Sequence, residues 1–159
     1  MGSHTEKKQI LELHLELESV MAELYKQFST VFKEHHNFWQ SLADEEKQHV
    51  TWLNKLIEGI NANKVIFDEG KTRVATLNSA LNYLKSTKKE FETKPFSIIK
   101  AVSFIRDFEN SLLQKNVFIN FDGDSIQVKE VIAKLAAAQQ AHVKHIETGV
   151  RKILDENVS

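Results

Sequence analysis

The chain has 159 residues, of which 42% are hydrophobic and 27% are charged, and this composition predicts a single globular domain over residues 1–159. Its 21 basic and 22 acidic residues are scattered and nearly cancel, so we expect no nucleic-acid partner. The chain has no cysteine, which excludes disulfides, thiolate metal sites and cysteine nucleophiles, and without an apolar run of signal-peptide or membrane length we expect a cytoplasmic protein with no membrane partner.

The first predicted element is a long amphipathic helix over about residues 5–33. Residues 1–4 are expected to be disordered or derived from a cloning tag. Glu18 lies on the apolar face of this helix, because apolar and aromatic residues flank it at helical spacing: Leu11, Leu15, Met21, Ala22 and Tyr25. Its carboxylate is therefore expected to point toward the core.

The second helix is predicted to begin near Asn37, whose side chain can cap it, and to end near residues 59–60. It contains the stretch "SLADEEKQHV", in which Glu46 and His49 lie three residues apart. Both side chains fall on a face that otherwise carries apolar residues. A helix that could bury leucine at these positions thus presents an acid and an imidazole instead.

A long connection that carries a helix of its own follows. The stretch "NANKVIFDEGKT" interrupts the helical pattern, and Val74 begins a further periodic segment that frays near "KKEFETKP". The apolar face of this middle helix carries no acid or histidine. With one proline and five glycines, the chain offers few positions for turns or strands, so an all-α fold is predicted.

Two further helices complete the chain. Pro95 suits the first turn of the next helix, which is predicted to cover residues 96–118 with Glu109 among its apolar residues. The stretch "INFDGDS" is predicted to be a loop, and Asp124 can cap a last helix that ends near Leu154.

Part of the second helix is repeated in the last one. Aligning "LADEEKQHVTWL" with "LAAAQQAHVKHI" matches His49 with His142 and places Gln139 opposite Glu46. Each copy is preceded, by about one helix length, by another acid among apolar residues, namely Glu18 or Glu109. Two helix pairs with inward acids and histidines predict a site at the centre of a bundle.

The spacing of these residues indicates a metal site. Residues three apart on a helix have Cβ atoms about 5–6 Å apart, so Glu46 and His49 can bind the same ion. Several carboxylates that converge in a dry core repel one another, and divalent cations remove that cost. Nitrogen and oxygen ligands without sulfur favour iron or manganese, with zinc as a substitute.

Four stretches of the chain resemble the ligand-bearing helices of ferritin-like proteins, specifically of rubrerythrin-like di-iron carboxylate domains. They are "LELESVMAELY", "FWQSLADEEKQH", "FENSLLQ" and "LAAAQQAH". The resemblance covers nearly the whole chain and implies a ferritin-like four-helix bundle, with a long crossover between helices 2 and 3 that carries the extra helix. A rubredoxin-type iron site is not expected, because the chain has no cysteine.

The resemblance also implies a ligand set of one Glu from each of two helices and Glu-x-x-His from each of the other two. The positions that correspond to this set are Glu18, Glu46, His49, Glu109, Gln139 and His142. By this resemblance Glu18 and Glu109 are terminal ligands and Glu46 bridges two metals, whereas Gln139 stands where a sixth ligand, a Glu, is expected. Tyr25 matches a tyrosine that lies close to the metals in such domains.

Simpler interpretations of these residues stay open. An inward acid such as Glu109 would more often form a salt bridge, and Arg106 lies one turn away as a partner. Tyr25 would be a core aromatic residue whose hydroxyl donates to an inward carboxylate. His14 and His145 could face the site, but are expected behind the ligands or at the surface.

Two functions follow from this resemblance and from the presence of Gln139 where the family pattern has a Glu. The first is a metalloprotein with iron, as a pair or a partial site, or with Mn or Zn, which reacts with oxygen or peroxide and takes electrons from an external donor. The second is a degenerate ferritin-like bundle without redox turnover, acting as a binding or structural module. Gln139 is expected to weaken the binding of the second metal ion. A homodimer is implied by the resemblance alone.

Overall fold

In the computed structural model, the described residues are 4–61, 65–67, 74–115, 121–123 and 126–157. Five long helices account for nearly all of them, which confirms the predicted helical fold at that level: α1 His4–Val31, α2 His36–Asn61, α3 Val74–Thr93, α4 Ile98–Lys115 and α5 Ile126–Glu156. None of these helices combines the length and the apolar character needed to cross a membrane.

The helices pack into a bundle. A single 3-10 turn, Lys33–His35, joins α1 to α2, and these two helices contact each other along much of their length. α5 packs against α2 and α4, and α3 packs on the outside against α1. The crossover between α2 and α4 therefore carries a helix of its own, as the periodicity predicted.

A small sheet accompanies the helices and was not predicted from the sequence. β1 (Val65–Phe67) follows α2 and pairs antiparallel with β2 (Phe121–Gly123), which precedes α5. β2 falls in the stretch predicted to be a loop. Because each strand has three residues, neither is long enough for alternating polarity to be recognised. The pairing links the end of α2 to the start of α5.

Two predicted helix starts are wrong, and local hydrogen bonds explain one of them. The Ser97 hydroxyl accepts a hydrogen bond from the Lys100 N–H at 3.2 Å, so Ser97 caps α4 and Pro95 lies before the helix. Asn37 is the second residue of α2 rather than its cap, because the 3-10 turn leads directly into the helix.

The remaining predicted bounds differ from the observed ones by one or two residues where the structure describes them. The predicted cap at Asp124, the predicted end of the fourth helix at residues 116–118 and the terminal residues 1–3 lie outside the described residues.

An aromatic cluster joins α1 to the start of α2. Trp39 is fully buried, with its ring centroid 4.8 Å from that of Phe28 and 6.2 Å from that of Tyr25. Burying a large apolar side chain stabilises the fold by about 1.5–3 kcal/mol. α3 adds buried residues on one face, namely Leu77, Leu81, Leu84, Thr87 and Phe91. These contacts lie beside the polar cluster, and Tyr25 takes part in both.

α2 and α5 approach each other closely at Gly149. A Cβ atom at this position would overlap the Phe38 ring. That ring is held in place, since its centroid lies 5.0 Å from Trp39 and 5.7 Å from His145. The glycine therefore sets how near the two helices can lie.

We expect Gly149→Ala to lower the free energy of unfolding by about 1–2 kcal/mol, because overpacking outweighs the better helix propensity of alanine. Urea denaturation measures this change. In a Phe38→Ala background, which removes the ring, Gly149→Ala should instead stabilise the protein. Stabilisation by Gly149→Ala in the otherwise unchanged protein would contradict the proposed overlap.

Candidate metal centre

Three carboxylates and two imidazoles from four helices converge in the core. They form two buried groups: Glu18, Glu46 and His49, and Glu46, Glu109 and His142. Within each group the potential ligand atoms lie within 4.8 Å of one another. α1 supplies Glu18, α2 supplies Glu46 and His49, and α4 and α5 supply the other two. The structure thus brings together five of the six predicted ligands.

Glu46 belongs to both groups and is fully buried. Its Oε1 lies 2.6 Å from His142 Nε2, and its Oε2 lies 3.5 Å from His49 Nδ1. Neither oxygen receives a geometrically acceptable hydrogen bond from the described residues. A buried carboxylate without hydrogen bonds costs several kcal/mol unless a cation faces it. A protonated imidazole or a metal ion can meet this requirement.

Glu18 lies between two histidines. Its Oε1 is 3.1 Å from His14 Nε2, and its Oε2 is 3.5 Å from His49 Nδ1. Burial alone would raise the pKa of Glu18, but His14 and His49 lower this pKa far below its ordinary value. Glu18 is therefore ionised in the folded protein. His14 is itself fully buried and lies behind Glu18, which is one of the two positions expected for it.

Tyr25 and His142 hold the opposite carboxylate. The Tyr25 hydroxyl donates a hydrogen bond of 2.8 Å to Glu109 Oε1, and His142 Nε2 lies 3.2 Å from the same oxygen. Burial, followed by the charge of Glu109, raises the pKa of Tyr25 well above its ordinary value, so the hydroxyl remains a donor. The Arg106 Nε lies 3.3 Å from Asp107, whereas the contacts of Glu109 among the described residues are with Tyr25 and His142.

Glu45 contributes to this cluster and was not predicted from the sequence. One carboxylate oxygen lies 2.7 Å from His142 Nδ1, and the other lies 2.7 Å from His145 Nδ1. A carboxylate on one ring nitrogen fixes the orientation of the imidazole and directs the other nitrogen inward. His142 Nε2 is accordingly the atom that faces Glu46 and Glu109.

The charge of His142 follows from these neighbours. Burial alone would lower the pKa of His142, but Glu109 and Glu45 raise it to about 10. Burial alone would likewise raise the pKa of Glu45, but His142 and His145 lower it. In the metal-free protein His142 is therefore an imidazolium that compensates part of the carboxylate charge.

Gln139, the sixth predicted ligand, is buried on α5 three residues before His142, and residues at this spacing share a helix face. Its side-chain nitrogen is enclosed and has no hydrogen-bond partner among the described residues. The residue that stands in place of the expected sixth carboxylate ligand is thus buried.

The buried groups can hold a metal ion, because imidazole nitrogens and carboxylate oxygens are suitable ligands for iron, manganese and zinc.

No protein-family model, curated protein or solved structure matches this chain. The chemistry of the site therefore follows from its own donor atoms, their burial and their charges.

In the metal-free protein, we expect His142 to make the free energy of unfolding fall as the pH rises above about 6.5. With a folded-state pKa of about 10 against an ordinary value of 6.5, the folded chain holds one more proton between these values. The contribution of His142 to the free energy of unfolding is complete below pH 6.5 and is lost as the pH approaches 10. Between these values the free energy of unfolding falls by about 1.4 kcal/mol per pH unit.

Urea denaturation of chelator-treated protein between about pH 6.5 and 9.5 measures this slope. His142→Gln is the matched variant and should remove that part of the pH dependence. The same slope in the variant and the parent protein would show that His142 does not carry the extra proton.

Proposed function

We propose that this protein is a rubrerythrin-like metalloprotein with a ferritin-like bundle, which binds a pair of iron ions and reacts with oxygen or peroxide. The observation that supports this proposal is the position of Glu46, which is shared by two buried ligand groups drawn from four helices. In the proposal Glu18, Glu46 and Glu109 would supply carboxylate ligands, with Glu46 common to both groups, and the imidazoles would supply nitrogen ligands. The bound ions would supply Lewis acidity and electrons.

The residues behind the proposed ligands support a pre-organised site. His14 lies against Glu18, the Tyr25 hydroxyl donates to Glu109, and Glu45 holds His142. Contacts of this kind fix the orientation of metal ligands and typically change metal affinity 10- to 100-fold. They also leave few rotamers open to the ligands, so that little ordering is needed when an ion binds.

The first experiment is metal analysis of protein purified without chelator and after anaerobic reconstitution with Fe²⁺. We expect two ions per chain, and we expect Glu46→Gln to lose at least one of them, because the bridging charge is removed. Glu58→Gln is the matched control, since Glu58 is an exposed acid on the same helix. Far-UV circular dichroism should be nearly unchanged in both variants, because the apolar core carries the helices.

The alternative is a bundle of the same kind that has no redox turnover and acts as a binding or structural module. Gln139 favours it, because a buried amide stands where the resemblance implies a carboxylate. Folded protein that takes up no Fe²⁺, Mn²⁺ or Zn²⁺ on reconstitution would select this alternative and contradict the metalloprotein proposal.

A second expectation concerns electron supply. Because the chain has no cysteine for a rubredoxin-type centre, peroxide reduction should stop once the electrons stored at the site are used. One H₂O₂ takes two electrons and two protons to give two waters, so a reduced iron pair should consume one equivalent. An added external donor should restore turnover. Sustained consumption without a reductant would contradict this expectation, and zinc-loaded protein, which stores no electrons, is the control.

A further inference from the structure

We infer that the proposed metal centre takes a small exogenous carboxylate anion, such as formate, which accepts a hydrogen bond from the side-chain nitrogen of Gln139. This inference rests on the proposed metal site and names a ligand for it. It starts from the Gln139 nitrogen, which lies on a residue 5% exposed and has no acceptor among the described residues.

An enclosed donor without an acceptor is destabilising, because it has lost its hydrogen bonds to water and gained none in return. A ligand that brings an acceptor removes this cost. In the proposed site all three carboxylates would face the metal ions: Glu18 lies between His14 and His49, and Glu109 accepts from Tyr25. Glu46, which has no hydrogen bond among the described residues and belongs to both ligand groups, would be occupied by the ions themselves. The acceptor for Gln139 is therefore expected to come from outside the chain.

The charge of the centre indicates that this acceptor is an anion. Two divalent cations that face the ligand carboxylates of Glu18, Glu46 and Glu109 leave one positive charge uncompensated. An uncompensated charge in a buried site is costly, because the low dielectric constant of the core strengthens every electrostatic interaction. Glu45 is not one of the ligand carboxylates, because its two oxygens face the Nδ1 atoms of His142 and His145 and not the interior of the ligand groups.

A monoanionic carboxylate satisfies both requirements. One of its oxygens can accept from the Gln139 amide, and its single charge matches the excess on the metal pair. Phosphate and sulfate are larger and carry more charge than the pair leaves uncompensated. A carboxylate also supplies the group that Gln139 lacks relative to glutamate. Formate is the smallest such anion and is therefore the appropriate probe.

The experiment titrates sodium formate into protein loaded with two equivalents of Co²⁺, with visible absorption and calorimetry as readouts. Neither readout requires redox activity. We expect one formate per metal pair, weaker binding of phosphate, and no binding to metal-free protein. The metal content is measured on the same samples.

Two variants separate the amide from the metal charge. Gln139→Glu supplies a carboxylate within the chain and should lower formate affinity at least about tenfold. The same substitution should raise the affinity for the second metal ion. Gln139→Leu retains the bulk of the side chain but removes the hydrogen-bond donor, and it should also weaken the binding of formate. Without metal, Gln139→Glu should lower the melting temperature at neutral pH, because it adds a fourth buried carboxylate.

The outcomes distinguish this inference from the proposal on which it rests. If two metal ions bind but formate leaves the spectrum unchanged, or binds equally to the parent protein and to Gln139→Glu, the anion site is wrong and the metal centre stands. If no metal binds, both are wrong. Equal formate affinity in Gln139→Leu would show that the amide does not hold the anion.

Discussion

The buried carboxylate of Glu46 is the constraint on which the rest of the cluster depends. It lies at full burial without a hydrogen bond of acceptable geometry, so positive charge must be brought to it. His49 on its own helix and His142 on α5 bring nitrogen atoms to its two oxygens. His142 can meet this requirement only because α5 packs against α2. A turn of α5 about its axis would take His142 away from Glu46 and leave His49 as the one of these two imidazoles beside it.

The helices could be predicted because each buries an apolar stripe over many turns. Acids inside such stripes stand out, which is why Glu18 and Glu109 were identified from spacing alone. The repeat between the second and last helices identified His142 and its relation to Gln139. These signals are local or depend on two similar stretches, and neither requires knowledge of the packing.

Glu45 could not be identified in this way. It lies in the run "DEEK", which has the composition of a solvated face, and its partners His142 and His145 are 97 and 100 residues away in the chain. Only the packing of α5 on α2 brings these residues together. His14 shows a related limit, because a spacing of four residues places it on the same face as Glu18 but does not determine its depth. The three-residue strands gave no periodic signal at all.

The energetics of the cluster favour a functional reason for its presence. Replacing a buried ionic group by apolar side chains of similar volume is often neutral or stabilising, by about 1–4 kcal/mol. This bundle already has an extensive apolar core beside the cluster, so its helices do not need the carboxylates in order to pack. Glu45, His14 and Tyr25 nevertheless each contact one of the inward residues and hold it in position. Such an arrangement lowers the cost of ordering ligands and costs stability when no cation is bound, which supports the proposed metal site over a purely structural role.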